Sequence, residues 1–503
     1  MLPAFEFPEL DFKSNPKPMS LSDLEGCDLA LYVVNGTDKT DVLSAMPHGN
    51  VLKSMREHME EDAILDAVLP NRHHTRVLVA SADPNQAAIK LLEEARKWVA
   101  AAVRYRYTRL DINLSAFDAK GGARVAEALL SAVAIAVAPT PSFKRKAPTA
   151  PALRSVRLHG CNFELDVDEI LATAEGTGLA RYLAMAPANA ITPETFRAHV
   201  EELANEAGWR YTFVNLEQLQ QMNCGAFEAV AKGAPDIDSG ILHLTYTPER
   251  NGDEGLLALV GKGLCMDTGG YNLKTGGSML GMHMDMTGGA VALGTLLALT
   301  RMQVPFRVDC WLALTENHIS PAAYRNNDVI TAADGTTIEI IDTDAEGRMV
   351  LADTLLLAGG EQPALIIDYA TLTGACVRAL GTRMSGIFTN EEDLLGALTA
   401  HGNNCGERVW GFPLHEDYEQ NIKSDIADVK QCAPGVSTDH MDAAAFLKRF
   451  VPESVSWLHM DLSAAEHKGG LGHVGTNVTG FGVRYTVSGL AESGVLRKLL
   501  SNS

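Results

Sequence analysis

The run LLALV at residues 256–260 carries no polar side chain on either face it would present as a strand. Side chains alternate sides along an extended chain, so such a run leaves no face for water and has to be covered above and below. Helices laid on both faces of a mainly parallel sheet provide that cover. Strand-like runs recur at RYTFVN (210–215), ILHLTYT (241–247), LLALVGKG (256–263), FRVDCWLAL (306–314), ALIIDYA (364–370) and SWLHMDL (456–462), with helical stretches between several of them. One helix opens at ITPETF, where Thr192 suits the N-cap and Pro193 the first helical position. The predicted class is α/β, with a central, mostly parallel sheet flanked by helices.

A smaller α/β pattern comes first. TRVLVASA (75–82), the amphipathic NQAAIKLLEEARKWVAAAV (85–103), RLDINLS (109–115) and an alanine-rich helix near 121–138 alternate strand and helix. PTPSFKRKAPTAPAL (139–153) then brings four prolines and three basic residues with no periodicity, the composition of a linker. A chain of 503 residues exceeds what one hydrophobic core usually serves. Two domains are expected, 1–155 and 166–503, with the boundary between about 139 and 165.

Charge narrows the function classes. The 42 basic and 63 acidic side chains give a net charge of -21, which disfavours non-specific attraction to nucleic acid or anionic lipid. No apolar run approaches the roughly 18 residues of a membrane span, and the first twenty residues carry Glu6, Glu9 and Asp11, so a cytoplasmic location is expected. The eight cysteines form no C-x-x-C pair or zinc-finger spacing and read as buried free thiols.

Three segments following predicted strands hold the chemistry, and the carboxyl ends of parallel strands are where ligands gather. VGKGLCMDTGGYNLKTGG (260–277) contains Lys262, Asp267 and Lys274. It lacks the order of a phosphate loop, and its lysines taken alone read more readily as solvated loop charges. GMHMDMTGGAVALGTLLALT (281–300) puts Asp285 near the start of an apolar helix, where it would either favour the helix dipole or bind a metal. IEIIDTDAEGRMVLADTLLLA (338–358) is the most informative. If IEIIDTDAEG is extended, Asp342, Asp344 and Glu346 point to one side, and three like charges require a cation or Arg348 to hold them. A solvated acidic turn is the rival reading, opposed by the apolar residues on both sides. Asp267, Asp285, Asp344 and Glu346 are too many oxygen donors for one zinc ion and suit two cations sharing carboxylates.

The order GKG, DTGG, K, MDM, TDAEGR and ATLTGA (370–375) resembles the leucyl aminopeptidase family of metallopeptidases, the M17 family. The likeness is dense over 256–380 and looser from about 170 to 485. It implies an aminopeptidase removing the first residue of peptides with a free amino terminus, using two divalent cations, zinc or manganese first, magnesium or cobalt as alternatives. Lys262, Asp267, Asp285 and Glu346 would surround one cation, and Asp267, Asp344 and Glu346 the other. The same resemblance implies attack by a hydroxide bridging the metals, Lys274 polarising the scissile carbonyl, and Arg348 holding a bicarbonate general base. Met282, Thr371, Gly374, Ser463 and Glu466 would line the substrate pocket, and carbonyls near Leu372 would position the amine. A homohexamer of two stacked trimers is also implied.

Two positions depart from the family pattern: Asp342, where asparagine is commoner, and Glu466, where an apolar residue is usual. They predict tolerance of polar or basic first residues. Two other classes compete. A non-catalytic assembly or DNA-binding member is opposed by the intact ligand and catalytic positions, and by the acidic charge. A two-metal phosphate-ester hydrolase is opposed by the poverty of histidine and arginine near the motifs.

Overall fold

A computed structural model describes residues 2–501 except 37–42, 61–62, 147, 235–237, 251, 253, 434 and 493. Its chain divides into two compact units, one of Glu6–Glu175 with Gly469–Asn477, the other of Met1–Phe5, Gly176–Lys468 and Val478–Ser503.

The first unit holds six strands, β1 (Asp11–Asn15), β2 (Leu29–Asn35), β3 (Leu65–Val68), β4 (Arg76–Ala82), β5 (Arg109–Asn113) and β6 (Ser155–His159), in the order β1-β6-β5-β2-β4-β3. All neighbours are parallel except β3 and β4. Alternation along β2 explains its double cover. Leu29, Leu31 and Val33 face the helices Ala88–Val103 and Ala119–Val137, while Ala30 and Tyr32 join a second cluster with Leu24 and Leu52. Within the stretch read as a linker, 139–154 carries no helix or strand among its described residues, and residue 147 lies outside them. Its last part differs from that expectation. Ser155–His159 pairs with both β1 and β5, so the chain returns to the first sheet after the prolines.

The second unit holds β7 (Arg210–Asn215), β8 (Gly240–Tyr246), β9 (Leu257–Asp267), β10 (Val308–Asn317), β11 (Val329–Thr331), β12 (Thr337–Glu339), β13 (Leu365–Ala370), β14 (Ser385–Thr389), β15 (Val409–Gly411), β16 (Val429–Lys430) and β17 (Ser456–Asp461). Eight of these form one sheet in the order β15-β14-β17-β13-β9-β10-β8-β7, and β11, β12 and β16 form a small one. The four central strands β17, β13, β9 and β10 are mutually parallel, and the turns of direction come only toward the edges, at β14–β17, β10–β8 and β8–β7. Ala258, Val260, Ile366 and Trp457 share one buried cluster with Met349, Val350, Leu351 and Leu355 of the helix Glu346–Gly360. The helix Thr287–Arg301 contributes nothing to that cluster and packs on β9, β10 and β13. Its first turn comes very close to the sheet, because a Cβ at Gly288 would meet the Tyr369 carbonyl at 2.1 Å. The predicted α/β class is thus realised, with antiparallel pairings added on both sides of a parallel centre.

The predicted capping at Thr192 is present: its side chain accepts from the Thr195 amide, and Pro193 opens the helix Pro193–Ala207. All eight cysteines are buried and free. Among the described residues no helix is long and apolar enough to cross a membrane.

Candidate active site

The carboxyl ends of the parallel strands carry the charged residues to one edge. Strand β9 ends at Asp267, β10 at Asn317 and β17 at Asp461, while β13 runs directly into Thr371. Lys262 sits five residues before the end of β9 and is only 2% exposed. It reaches the edge because Gly347 leaves room: a Cβ there would stand 2.6 Å from the Lys262 Nζ. Beyond β9 the chain turns through Gly269 and Gly270, both with positive φ, near 84° and 63°, and brings Lys274 back over the strand end.

Oxygen atoms of Asp267, Asp344 and Glu346 all lie within 4.8 Å of one another. Lys262 Nζ stands 2.7 Å from Asp285 Oδ2 and 2.9 Å from Glu346 Oε1. Lys274 Nζ stands 2.8 Å from Asp267 Oδ2 and 2.5 Å from Asp344 Oδ1. Four carboxylates therefore face two ammonium groups. Burial pushes Asp285 up to about 8, with Lys262 opposing and Asp267 and Glu346 adding to the rise. Asp344 is pushed up to about 7 by burial and by the charges of Glu346 and Asp267. Glu346 goes the other way: burial works against its charge, but Lys262 and Lys274 outweigh it and hold its carboxyl below the usual range. Burial also disfavours charge on Lys262, yet Asp285, Glu346 and Asp267 keep its pKa above the ordinary lysine value.

One expectation is corrected here. IEIIDTDAEG is not extended throughout; the strand ends at Glu339 and the helix begins at Glu346. Asp342 and Asp344 occupy the intervening turn, where Asp342 Oδ1 accepts the Asp344 amide at 2.9 Å. Asp342 therefore stabilises the turn that presents Asp344 and takes no place in the carboxylate cluster. Glu346 points inward as the first residue of a helix rather than as the third member of a strand face. Asp285 likewise lies in a 3₁₀ turn, Met282–Met286, just ahead of the apolar helix.

A cavity of about 960 Å³ opens on this edge. Every residue singled out from sequence lines it: Lys262, Asp267, Asp285, Asp344, Glu346, Lys274 and Arg348, and around them Met282, Thr371, Leu372, Gly374, Ser463 and Glu466. Thr371 does more than form the wall, since its hydroxyl donates to Asp285 Oδ1 at 2.7 Å and its carbonyl accepts from Lys262 at 3.3 Å. Glu466 is exposed at the cavity rim, near enough for its charge to act on His283.

Several supporting residues escaped sequence reading. The Asn317 side-chain amide donates to Asp267 Oδ1 at 2.9 Å and to the Thr343 carbonyl at 3.0 Å, so one group fixes two of the loops. Its position at the end of an apolar strand was the available signal. Asp461 accepts the Leu372 and Thr373 amides at 3.2 and 3.3 Å and the Thr373 hydroxyl at 2.7 Å, which shapes the loop after β13. Arg348 is buried, with Nη2 donating to Asp439 at 2.7 Å and Nη1 to the Gln431 carbonyl at 3.0 Å. No sequence pattern linked residues 348 and 439.

The donor set fits divalent cations. It is oxygen-rich and convergent, with four carboxylates set against two ammonium groups, and burial together with the neighbouring carboxylates raises both Asp285 and Asp344.

Similarity to known proteins agrees with this geometry. The profile of the cytosol aminopeptidase family catalytic domain matches residues 178–487. A probable cytosol aminopeptidase of Rippkaea orientalis is 34% identical over 484 residues, covering 93% of this chain and 97% of its own. One from a Synechococcus species is 41% identical over 330 residues, 65% of this chain and 64% of its own. Among solved structures, the bottromycin maturation enzyme BotP in complex with Mn superposes with a TM-score of 0.78 at 30% identity, covering 92% of this chain and 98% of that one. A mutant tomato leucine aminopeptidase gives 0.83 at 25% identity, covering 100% and 98%. The chain belongs to the cytosol aminopeptidase family, the M17 metallopeptidases, and is an aminopeptidase.

Proposed function

We propose that the chain removes single amino-terminal residues from peptides with a free amine, and that two divalent cations, zinc or manganese, held at this strand edge drive the hydrolysis. The observation that carries the reading is the convergence of Asp267, Asp344 and Glu346 within 4.8 Å, beside Lys262 and Asp285. Lys262, Asp267, Asp285 and Glu346 would hold one cation, and Asp267, Asp344 and Glu346 the other. When bound, the cations supply Lewis acidity for the carbonyl and lower the pKa of the attacking water.

The chain's own groups do the rest. Without cations Lys262 is the counter-ion of Asp285 and Glu346; a divalent cation among those carboxylates would displace its proton and leave a neutral amine as ligand. Lys274 is held charged by Asp267 and Glu346 against the effect of burial, so it keeps a proton to donate toward the oxygen that becomes negative as the carbonyl is attacked. Asp461 and Thr373 hold the loop whose carbonyls near Leu372 would receive the substrate amine. Met282, Thr371, Gly374 and Ser463 would contact the first side chain, and Glu466 at the rim would favour a basic one. Bicarbonate, expected beside Arg348, fits less well, because that guanidinium is already paired with Asp439. No step is routed through it.

The same reading carries a homohexamer of two trimers and a cytoplasmic location. The test is metal stripping and replacement, followed by a panel of aminoacyl amides. Activity lost with chelator and regained with manganese or zinc, on free but not N-acetylated substrates, is the expected result. Activity indifferent to chelator, or equal on blocked substrates, would overturn the reading, and strict preference for Leu over Lys and Arg amides would remove the role given to Glu466.

A further inference from the structure

Arg348 is 1% exposed and stands two residues beyond Glu346, so its guanidinium is fixed relative to the metal-ligand turn by the first turn of one helix. An arginine that recognises a small planar anion presents neighbouring N–H groups as a fork. Here Nη2 meets Asp439 Oδ1 at 2.7 Å, Nη1 meets the Gln431 carbonyl at 3.0 Å, and among the described residues Nε alone has no partner. A guanidinium already neutralised by one carboxylate attracts a second anion weakly, and Asp442 adds further negative charge nearby. Asp439 itself opens the helix Asp439–Lys448, which fixes its backbone, and its side chain remains 32% exposed toward the cavity that Lys262, Asp267 and Glu346 line. A carboxylate and a bicarbonate present the same chemistry to an arginine: two equivalent oxygens, one negative charge and a weakly basic lone pair.

We propose that Asp439, held on Arg348, is the resident occupant of this anion position and serves as the proton acceptor of hydrolysis in place of a free small anion. The inference rests on the aminopeptidase reading above. As the oxygen of water bonds to the scissile carbonyl carbon, the water proton passes to the Asp439 carboxylate. When the carbon–nitrogen bond breaks, that proton passes to the leaving amine nitrogen, and the carboxylate is restored. Arg348 is then a positioning residue, and the enzyme needs no bicarbonate.

The experiment uses the full-length, metal-loaded enzyme in carbonate-free buffer. Wild type should be fully active, and added bicarbonate should leave kcat unchanged. Asp439→Ala should lower kcat about 100-fold with little change in KM. Bicarbonate entering the vacated space should restore about tenfold of that loss. Asp439→Asn keeps the volume filled by an amide, so it should be equally slow and should not be rescued. A second readout needs no catalysis. Labelled bicarbonate followed by NMR should show no binding to the metal-free wild type and clear binding to metal-free Asp439→Ala. Wild-type kcat that rises with bicarbonate, an Asp439→Ala enzyme of full activity, or bicarbonate binding to the wild type would each overturn the inference. A wild type inactive on every free-amine substrate, with any metal and with or without bicarbonate, would instead overturn the aminopeptidase reading, and the binding measurement would still decide whether Asp439 fills the site.

Discussion

Both units of this chain bury carboxylates at a parallel sheet, and they treat them differently. In the first, Asp111 on β5 is 1% exposed and fully answered: Arg109 Nε lies 2.7 Å from one oxygen and His159 Nε2 3.0 Å from the other. In the second, Asp267, Asp285, Asp344 and Glu346 share Lys262 and Lys274, and Asp285 and Asp344 are driven up to about 8 and about 7. A paired buried charge is costly to strand by removing its partner, whereas a crowded group of carboxylates favours binding of cations. Similar architecture thus serves two ends, separated by the ratio of charges rather than by the fold.

That contrast can be broken by substitution. Glu346→Ala removes the carboxylate shared by both proposed cations, so bound metal measured by elemental analysis should fall away and transition-state stabilisation should drop by several kcal/mol. Metal retained at wild-type stoichiometry would contradict the shared role. In the first unit, Asp111→Asn breaks a satisfied pair and should cost about 3 kcal/mol in denaturant unfolding of that unit. Its kcat and metal content should stay as in wild type.

Glu407 separates burial from crowding. It accepts the Gly482 and Tyr485 amides at 2.9 and 2.8 Å, and burial pushes it up to about 7 from an ordinary 4.5. A carboxyl raised on folding binds more protons folded than unfolded, so its contribution to stability falls as pH rises from about 4.5 to about 7, by about 3 kcal/mol. Compared with Glu407→Gln, the wild type should lose ground across that window and run parallel above it. Parallel curves throughout would show that burial leaves this group unshifted. The smallest effect is expected at Asn317, which orients Asp267 without itself being charged. Asn317→Ala should weaken metal affinity about 10- to 100-fold, read by competition with a chelator, while leaving the metal-saturated kcat near wild type.

Legibility in the sequence followed the physical range of the signal. The strand at Leu257–Asp267 was readable because its fully apolar opening run, Leu257–Val260, demands double cover wherever it occurs. β1 and β3 are short edge strands, and β1 mixes exposed and half-buried positions with none buried, so neither announces itself by hydrophobicity. In IEIIDTDAEG the two-residue alternation suggested a strand, but Asp342 accepts the Asp344 amide and closes a turn instead. Local side-chain bonding of that kind competes with extended backbone and leaves the same residue pattern.

Composition and order determined that this chain is α/β and that its charged candidates gather between Lys262 and Arg348, because those follow from residue type and spacing, while the assignment of individual acids to cations came from the family resemblance. Tertiary structure decided that Lys262 bridges Asp285 and Glu346, that Asn317 ties Asp267 to the Thr343 loop, and that Arg348 is paired with Asp439. These contacts join positions far apart along the chain. A hydrogen bond acts over about 3 Å, so nothing short of the folded path of the strands fixes which distant groups come within its reach.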